Sequence, residues 1–412
     1  MVKKSLDQKL AAIHADPHGA KDFIIADAKD ADMAFGMGAP GQSPERHDGE
    51  VRFRTLADYR RQIREIVRQG LVDIMLMSAS TNEALTIQER LFDGTAVTPA
   101  ARANDTTDIH VVRGGRLHQA ASRPFRSATL DHIQCGHLDC APEDRSAGAD
   151  LGLYSVTFNN DLERDRETLE HLKAFREEAE RKNFRYFLEI FDPNLPQAVA
   201  AEQLPAFIND LVARTLAGVT SAGRPVFLKM VYHGPQAMQE LVAYDPHLIV
   251  GILGGGAGTT LDAFQLIHEA QKYGARVALF GRKINQAESQ LAFVHFLRLI
   301  VDGAIEPREA VRAYHAVLEQ LGLKPYRPLA KDLELLTGVM SYGGSGTTIS
   351  LPAPKSAGKP SVAAARQPST PSKSPANGEQ DSATDRPDFA RMTSAERLAF
   401  HRRRLDRMFG QT

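Results

Sequence analysis

The sequence predicts an α/β fold of repeated strand–helix units, closed into a (β/α)8 barrel. Three observations carry that expectation. Short apolar runs recur at 23–26, 72–77, 153–158, 184–191, 226–232, 248–253 and 276–280. Between them lie segments with helical spacing of apolar residues and a polar face, at 56–69, 161–182, 259–273 and 286–301. The later strands begin at 153, 184, 226, 248 and 276, and one strand with its crossover helix takes roughly 30 residues. Continuous apolar strands fit a parallel sheet covered on both faces, and eight such units close into a barrel. A doubly wound open sheet shares the same periodicity and is the alternative.

Along the chain, the first strand ends in DFIIADAKDAD, where Asp27 and Lys29 follow the apolar run. The helix at 56–69 leads into the second strand. The region between strands two and four is enlarged and holds a weaker strand near 96–101. Asn104, Asp105, Thr106, Thr107 and Asp108 follow it as a polar run, which either lines the mouth of the barrel or forms an Asx-rich turn. From 345 the composition shifts to Pro, Ser, Ala and Gly. Such a segment lacks the apolar surface to offset chain entropy. The expected organisation is therefore a barrel domain over 1–344, a disordered linker over 345–392 and a short basic helix over 393–410. In that last segment Thr393 and Glu396 have capping-box spacing, and Leu398, Leu405 and Phe409 recur near the helical period. Five arginines between Arg397 and Arg407 face one acid, Asp406, which suits a solvated helix or a protein partner.

Composition excludes several classes. With 50 Lys+Arg against 51 Asp+Glu in 412 residues, the net charge is −1, so bulk electrostatic binding to nucleic acid is not expected. No apolar run reaches the ~18 residues of a membrane span, and the polar start does not read as a secretory signal. Cys135 and Cys140 are too few for a disulfide framework, and a reducing cytoplasm is the expected compartment. Together with His132 and His137 they are chemically capable of holding zinc. Four ligands so closely spaced leave little chain to wrap a tetrahedron, and an exposed loop with no metal is the reading preferred.

The informative residues are charges inside apolar strands. Lys229 lies in RPVFLKMVYHGP and Glu189 in FRYFLEIFDPN. A parallel strand offers neither side chain a route to water, and burial disfavours the charged form of each. A lysine depleted of its proton is a nucleophile for carbonyls. Phe227, Lys229 and Val231 share one strand face, as do Phe187, Glu189 and Phe191, so the amine and carboxylate converge if both faces point into the barrel. A buried ion pair without chemistry is the competing reading. Downstream, GILGGGAGTTLDAF carries Gly254, Gly255, Gly256 and Gly258 from a strand into a helix. Glycines permit close backbone approach to an anion, and the helix start points N–H groups at it. Gly281 and Arg282 end the next strand and add a guanidinium suited to phosphate. The competing reading there is a tight turn without a ligand.

These residues resemble the class I (Schiff-base) aldolases with a (β/α)8 barrel: the deoxyribose-phosphate, tagatose-bisphosphate and archaeal-type fructose-bisphosphate aldolase group. The likeness is clearest over 184–301. It implies that Lys229, in FLKMVYHGP, forms the Schiff base. It implies that Glu189 is the strand-five acid/base, that Asp27 orients a hydroxyl, and that Gly254, Gly255, Gly256, Gly281 and Arg282 hold phosphate. Tyr232 and His233 are secondary acid/base candidates. Phe191-Asp192-Pro193-Asn194 stands where the archaeal-type branch has Tyr-Pro-Arg-Gly. The expected activity is cleavage or formation of a carbon–carbon bond in a phosphorylated ketose, without a cofactor. The expected partners are that sugar phosphate and further copies of the chain, with neither nucleic acid nor membrane. A non-catalytic phosphosugar-binding barrel and a metal-dependent barrel enzyme are the alternatives.

Overall fold

The computed structural model describes residues 2–41, 53–105, 111–256, 258–337 and 399. The chain divides into two units, Met1–Leu351 and Pro352–Thr412. In the second only Ala399 is described, and it is helical. The linker and basic helix expected over 345–410 otherwise lie outside the described residues, as do Thr106, Thr107 and Asp108.

The first unit is a closed barrel of eight parallel strands paired in sequence order. The strands are β1 Ile24–Lys29, β2 Ile74–Met77, β3 Thr98–Arg102, β4 Leu151–Thr157, β5 Arg185–Phe191, β6 Leu228–Met230, β7 Val250–Leu253 and β8 Val277–Phe280. Barrel closure, with β1 paired to both β2 and β8, excludes the open sheet. The enlarged region between β2 and β4 is present and contains β3. β6 is shorter than its apolar run because each of its neighbours pairs with only three of its residues.

The helices follow local chemistry. Thr55 and Asp58 form a capping box at the start of Leu56–Gln69, whose Tyr59, Ile63, Ile66 and Val67 are buried. The helix expected over 286–301 is present as Gln290–Val301, and a separate short helix, Arg282–Gln286, precedes it. Ser289 sets the later start, its side chain accepting from the Ala292 N–H as an N-cap, the role for which serine is preferred.

Inside the barrel, Ile24, Ala26, Ala28, Ile74, Leu76, Leu151, Leu153, Phe187, Phe227, Val277 and Leu279 form one apolar cluster. Leu6, Leu10 and Ile13 of the helix Ser5–Ala15 join it. The Ser5 N–H donates to Ala96 O, just ahead of β3, and Arg185 at the start of β5 pairs with Asp7 at 2.6 Å. This helix therefore stops the barrel at the end opposite the strand C-termini. Burying each such side chain is worth roughly 1.5–3 kcal/mol.

Candidate active site

Side-chain alternation decides which charges meet. Glu189 on β5 pairs in register with Lys229 on β6, so both lie on the inner face with Phe187 and Phe227. Lys229 Nζ stands 2.6 Å from Glu189 Oε1, and the two residues are 6% and 0% exposed. Opposite charges at that distance offset each other's burial. Ser155 on β4 donates from Oγ to Glu189 Oε2 at 2.8 Å. Its hydroxyl in turn accepts from Arg102 Nη2 at 3.1 Å, which commits the Ser155 proton to the glutamate. Arg102, at the end of β3, also donates to Asn104 O at 2.9 Å and pairs with Asp30 Oδ2 at 2.9 Å. A continuous polar chain thus runs Asp30, Arg102, Ser155, Glu189, Lys229 across the barrel mouth.

Asp30, Arg102, Glu189 and Lys229 line one cleft together with Gly254, Gly255, Gly281 and Arg282. The cleft has a cavity volume of about 60 Å3 and opens to solvent. The glycine rim is tight. A Cβ at Gly254 would run into the Phe280 ring, and one at Gly281 would stand 2.5 Å from Ala28 O. The Arg282 guanidinium lies 5.2 Å over the Phe35 ring, a cation–π contact that turns it to the rim. Gly256 is separated from the other three glycines and lines a neighbouring cavity instead.

Asp27 is not brought to the cleft. Ala26 and Ala28 face inward, so Asp27 and Lys29 face the helix layer. They form an ion pair there at 3.0 Å, both 0% exposed. Lys29 also donates to Asn285 and Gln290 on the two helices after β8. Burial raises the Asp27 carboxyl from 3.8 to about 6 and lowers the Lys29 amine. The inward carboxylate at the end of β1 is Asp30. Tyr232 is likewise in the helix layer, fully buried near Glu269 and Tyr273, with its hydroxyl pushed well up by burial. His233 is engaged by Asp192 at 2.9 Å and does not line the cleft.

Sequence reasoning missed Asp30, Arg102 and Ser155. Once Ala26 and Ala28 are known to face inward, alternation puts Asp30 on the same side. Asn104 hydrogen-bonds both the N–H and the carbonyl of Ser155, at 2.7 and 2.8 Å, and Asp105 accepts from Ser127. Asn104 thus braces β4 and Asp105 a loop, and neither lines the cleft. The loop expected around the cysteines is exposed at His137, Leu138 and Asp139, but the cysteines themselves are not. Cys135 ends the helix Leu130–Cys135, both cysteines are buried, and they are joined as a disulfide. Disulfide sulfurs are not offered to a metal as thiolates. Among the described residues no group of three or more His, Cys, Asp or Glu side chains is placed to hold a metal ion. Nor, among them, is any helix long and apolar enough to cross a membrane.

No family model matches the chain, and no curated protein matches it. Among solved structures it is similar to an archaeal fructose 1,6-bisphosphate aldolase, at 16% identity over 72% of this chain and 99% of that one, with a TM-score of 0.50. It is similar also to a Schiff base forming fructose-1,6-bisphosphate aldolase, at 17% identity over 71% and 99%, again with a TM-score of 0.50. At such identity the likeness is one of fold, and the fold shared is the closed eight-stranded parallel barrel.

Proposed function

We propose that the protein is a class I aldolase that cleaves or forms a carbon–carbon bond in a phosphorylated ketose through a Schiff base on Lys229. The observation that carries this reading is the Lys229–Glu189 contact of 2.6 Å inside the barrel, in the cleft that Gly254, Gly255, Gly281 and Arg282 also line. An amine must be neutral to attack a ketone. Glu189, already in contact, takes the ammonium proton, and the amine then adds to the carbonyl carbon to give a carbinolamine. Glu189 returns the proton to the departing hydroxyl, water leaves, and a protonated imine remains. When the carbon–carbon bond breaks, its electrons flow into that imine to give an enamine. A base removes the proton of the hydroxyl that becomes the aldehyde. Asp30, paired with Arg102 at 2.9 Å, lines the same cleft and fits that step.

The rim glycines and Arg282 hold the phosphate and fix the ketone over Lys229, so that binding energy is converted into alignment. Reaction with a ketose phosphate in the presence of borohydride tests the proposal. The expected product is a stable adduct on the Lys229 peptide, identified by mass spectrometry and lost in Lys229→Ala. Absence of any adduct across a panel of ketose phosphates, with activity retained in Lys229→Ala, would remove it.

A further inference from the structure

The helix Arg282–Gln286 has two sides. Arg282 turns to the cleft, and the next residue, Lys283, faces a separate cavity of about 570 Å3. That volume lies within the range of small-molecule sites. Among the described residues three cationic side chains line it: Lys283, Arg54 and Arg327. Among them two acids line it as well, and both are consumed by the surrounding frame. Asp332 accepts the Thr260 N–H at 2.8 Å with one oxygen and contacts His315 Nε2 at 2.9 Å with the other. Glu288 accepts from the Tyr326 N–H at 2.7 Å and from the Tyr314 hydroxyl at 3.0 Å. Lys283 spends one N–H on Gly258 O at 2.6 Å and retains two. Unused donors on cations, beside acids whose oxygens are turned away, select an anion. Phe53, Phe293 and Tyr326 supply an apolar wall.

We propose that this cavity is a second anion site, distinct from the catalytic cleft. It takes a phosphorylated organic molecule, with the phosphoryl group on Lys283, Arg54 and Arg327 and the organic body against Phe53, Phe293 and Tyr326. The state of Lys283 agrees with an anion-seeking site. The residue is 8% exposed, and burial, with the charge of Arg327, lowers its amine to about 8 against the opposing pull of Asp262, Asp332 and Glu288. A phosphate dianion beside it would draw the proton back.

Competitive acetylation of the full-length protein, read on the Lys283 peptide by mass spectrometry at pH 8, is the test. Phenyl phosphate is the probe, and inorganic phosphate gauges the phosphoryl group alone. Saturating phenyl phosphate should slow Lys283 acetylation at least fivefold, with inorganic phosphate protecting only at higher concentration. Protection should persist in Arg282→Ala and disappear in the Arg54→Ala, Arg327→Ala double variant. Unchanged Lys283 acetylation in the native protein would overturn the proposal. So would protection that Arg282→Ala abolishes and the double variant keeps, since the ligand would then lie in the cleft. Neither result depends on Schiff-base chemistry at Lys229.

Discussion

Replacing Lys29 with methionine keeps a long apolar stem and removes the cation that faces Asp27. Burial already holds that carboxyl at about 6 against its ordinary 3.8, so at pH 7 the native protein carries a penalty of about 3 kcal/mol for the charge, at 1.4 kcal/mol per unit. Without Lys29 the carboxyl rises further and takes up a proton. Proton uptake caps the added electrostatic cost at pH 7 at about 1.4 kcal/mol, the work of titrating from about 6 to 7. Lost hydrogen bonds to Asn285 and Gln290 add roughly 1 kcal/mol each at any pH. The sign follows from linkage. A carboxyl whose folded pKa lies above its unfolded value loses stability as pH rises between the two. In the native protein that loss is nearly complete just above pH 6, whereas in Lys29→Met it continues through pH 7 and 8. The lowered Lys29 amine works in the same direction, since native stability climbs on the alkaline side as a depressed amine sheds its proton.

Urea unfolding at pH 6, 7 and 8 measures the effect. The gap between native protein and Lys29→Met should widen by roughly 2 kcal/mol from pH 6 to pH 8. Adding Asp27→Asn to Lys29→Met should abolish the widening, because no buried charge then lacks a partner. A gap that does not change with pH, or a double variant no more stable than the single one at pH 8, refutes the reasoning.

Glu189→Gln should lower kcat by about 10²–10⁴ while leaving the fold intact, measured by single-turnover kinetics, because an amide accepts no proton from Lys229. Arg282→Ala should raise KM for a phosphorylated ketose at least tenfold and leave KM for its unphosphorylated counterpart within twofold, checked by paired steady-state assays. Gly254→Ala should cost about 1–3 kcal/mol in thermal or urea unfolding, because its methyl group would run into the Phe280 ring.

Most of the barrel was legible because parallel strands buried on both faces are written as unbroken apolar runs. β3 was faint for a physical reason: Thr98, Pro99, Ala100, Ala101 and Arg102 are small or polar, and only their neighbours on β2 and β4 make them a strand. The Lys229–Glu189 pair could be read because each is a lone charge in a hydrocarbon run. Asp27 could not be separated from Asp30 by composition, as both sit in the same acidic stretch. Which one faces the cavity is fixed by the pleat of β1, and a one-residue offset exchanges inside for outside. Arg102 stayed hidden because its strand did, and Ser155 because a hydroxyl in a strand carries no charge to draw notice. The Cys135–Cys140 link depends on a turn closed by Gly136, whose φ of 87° takes the chain back on itself.

With Leu6, Leu10 and Ile13 closing the lower end of an already packed apolar interior, the barrel offers no passage along its axis. On the proposed reading, both cleavage products leave by the rim through which the substrate came, and the one still bonded to Lys229 follows the one that is free.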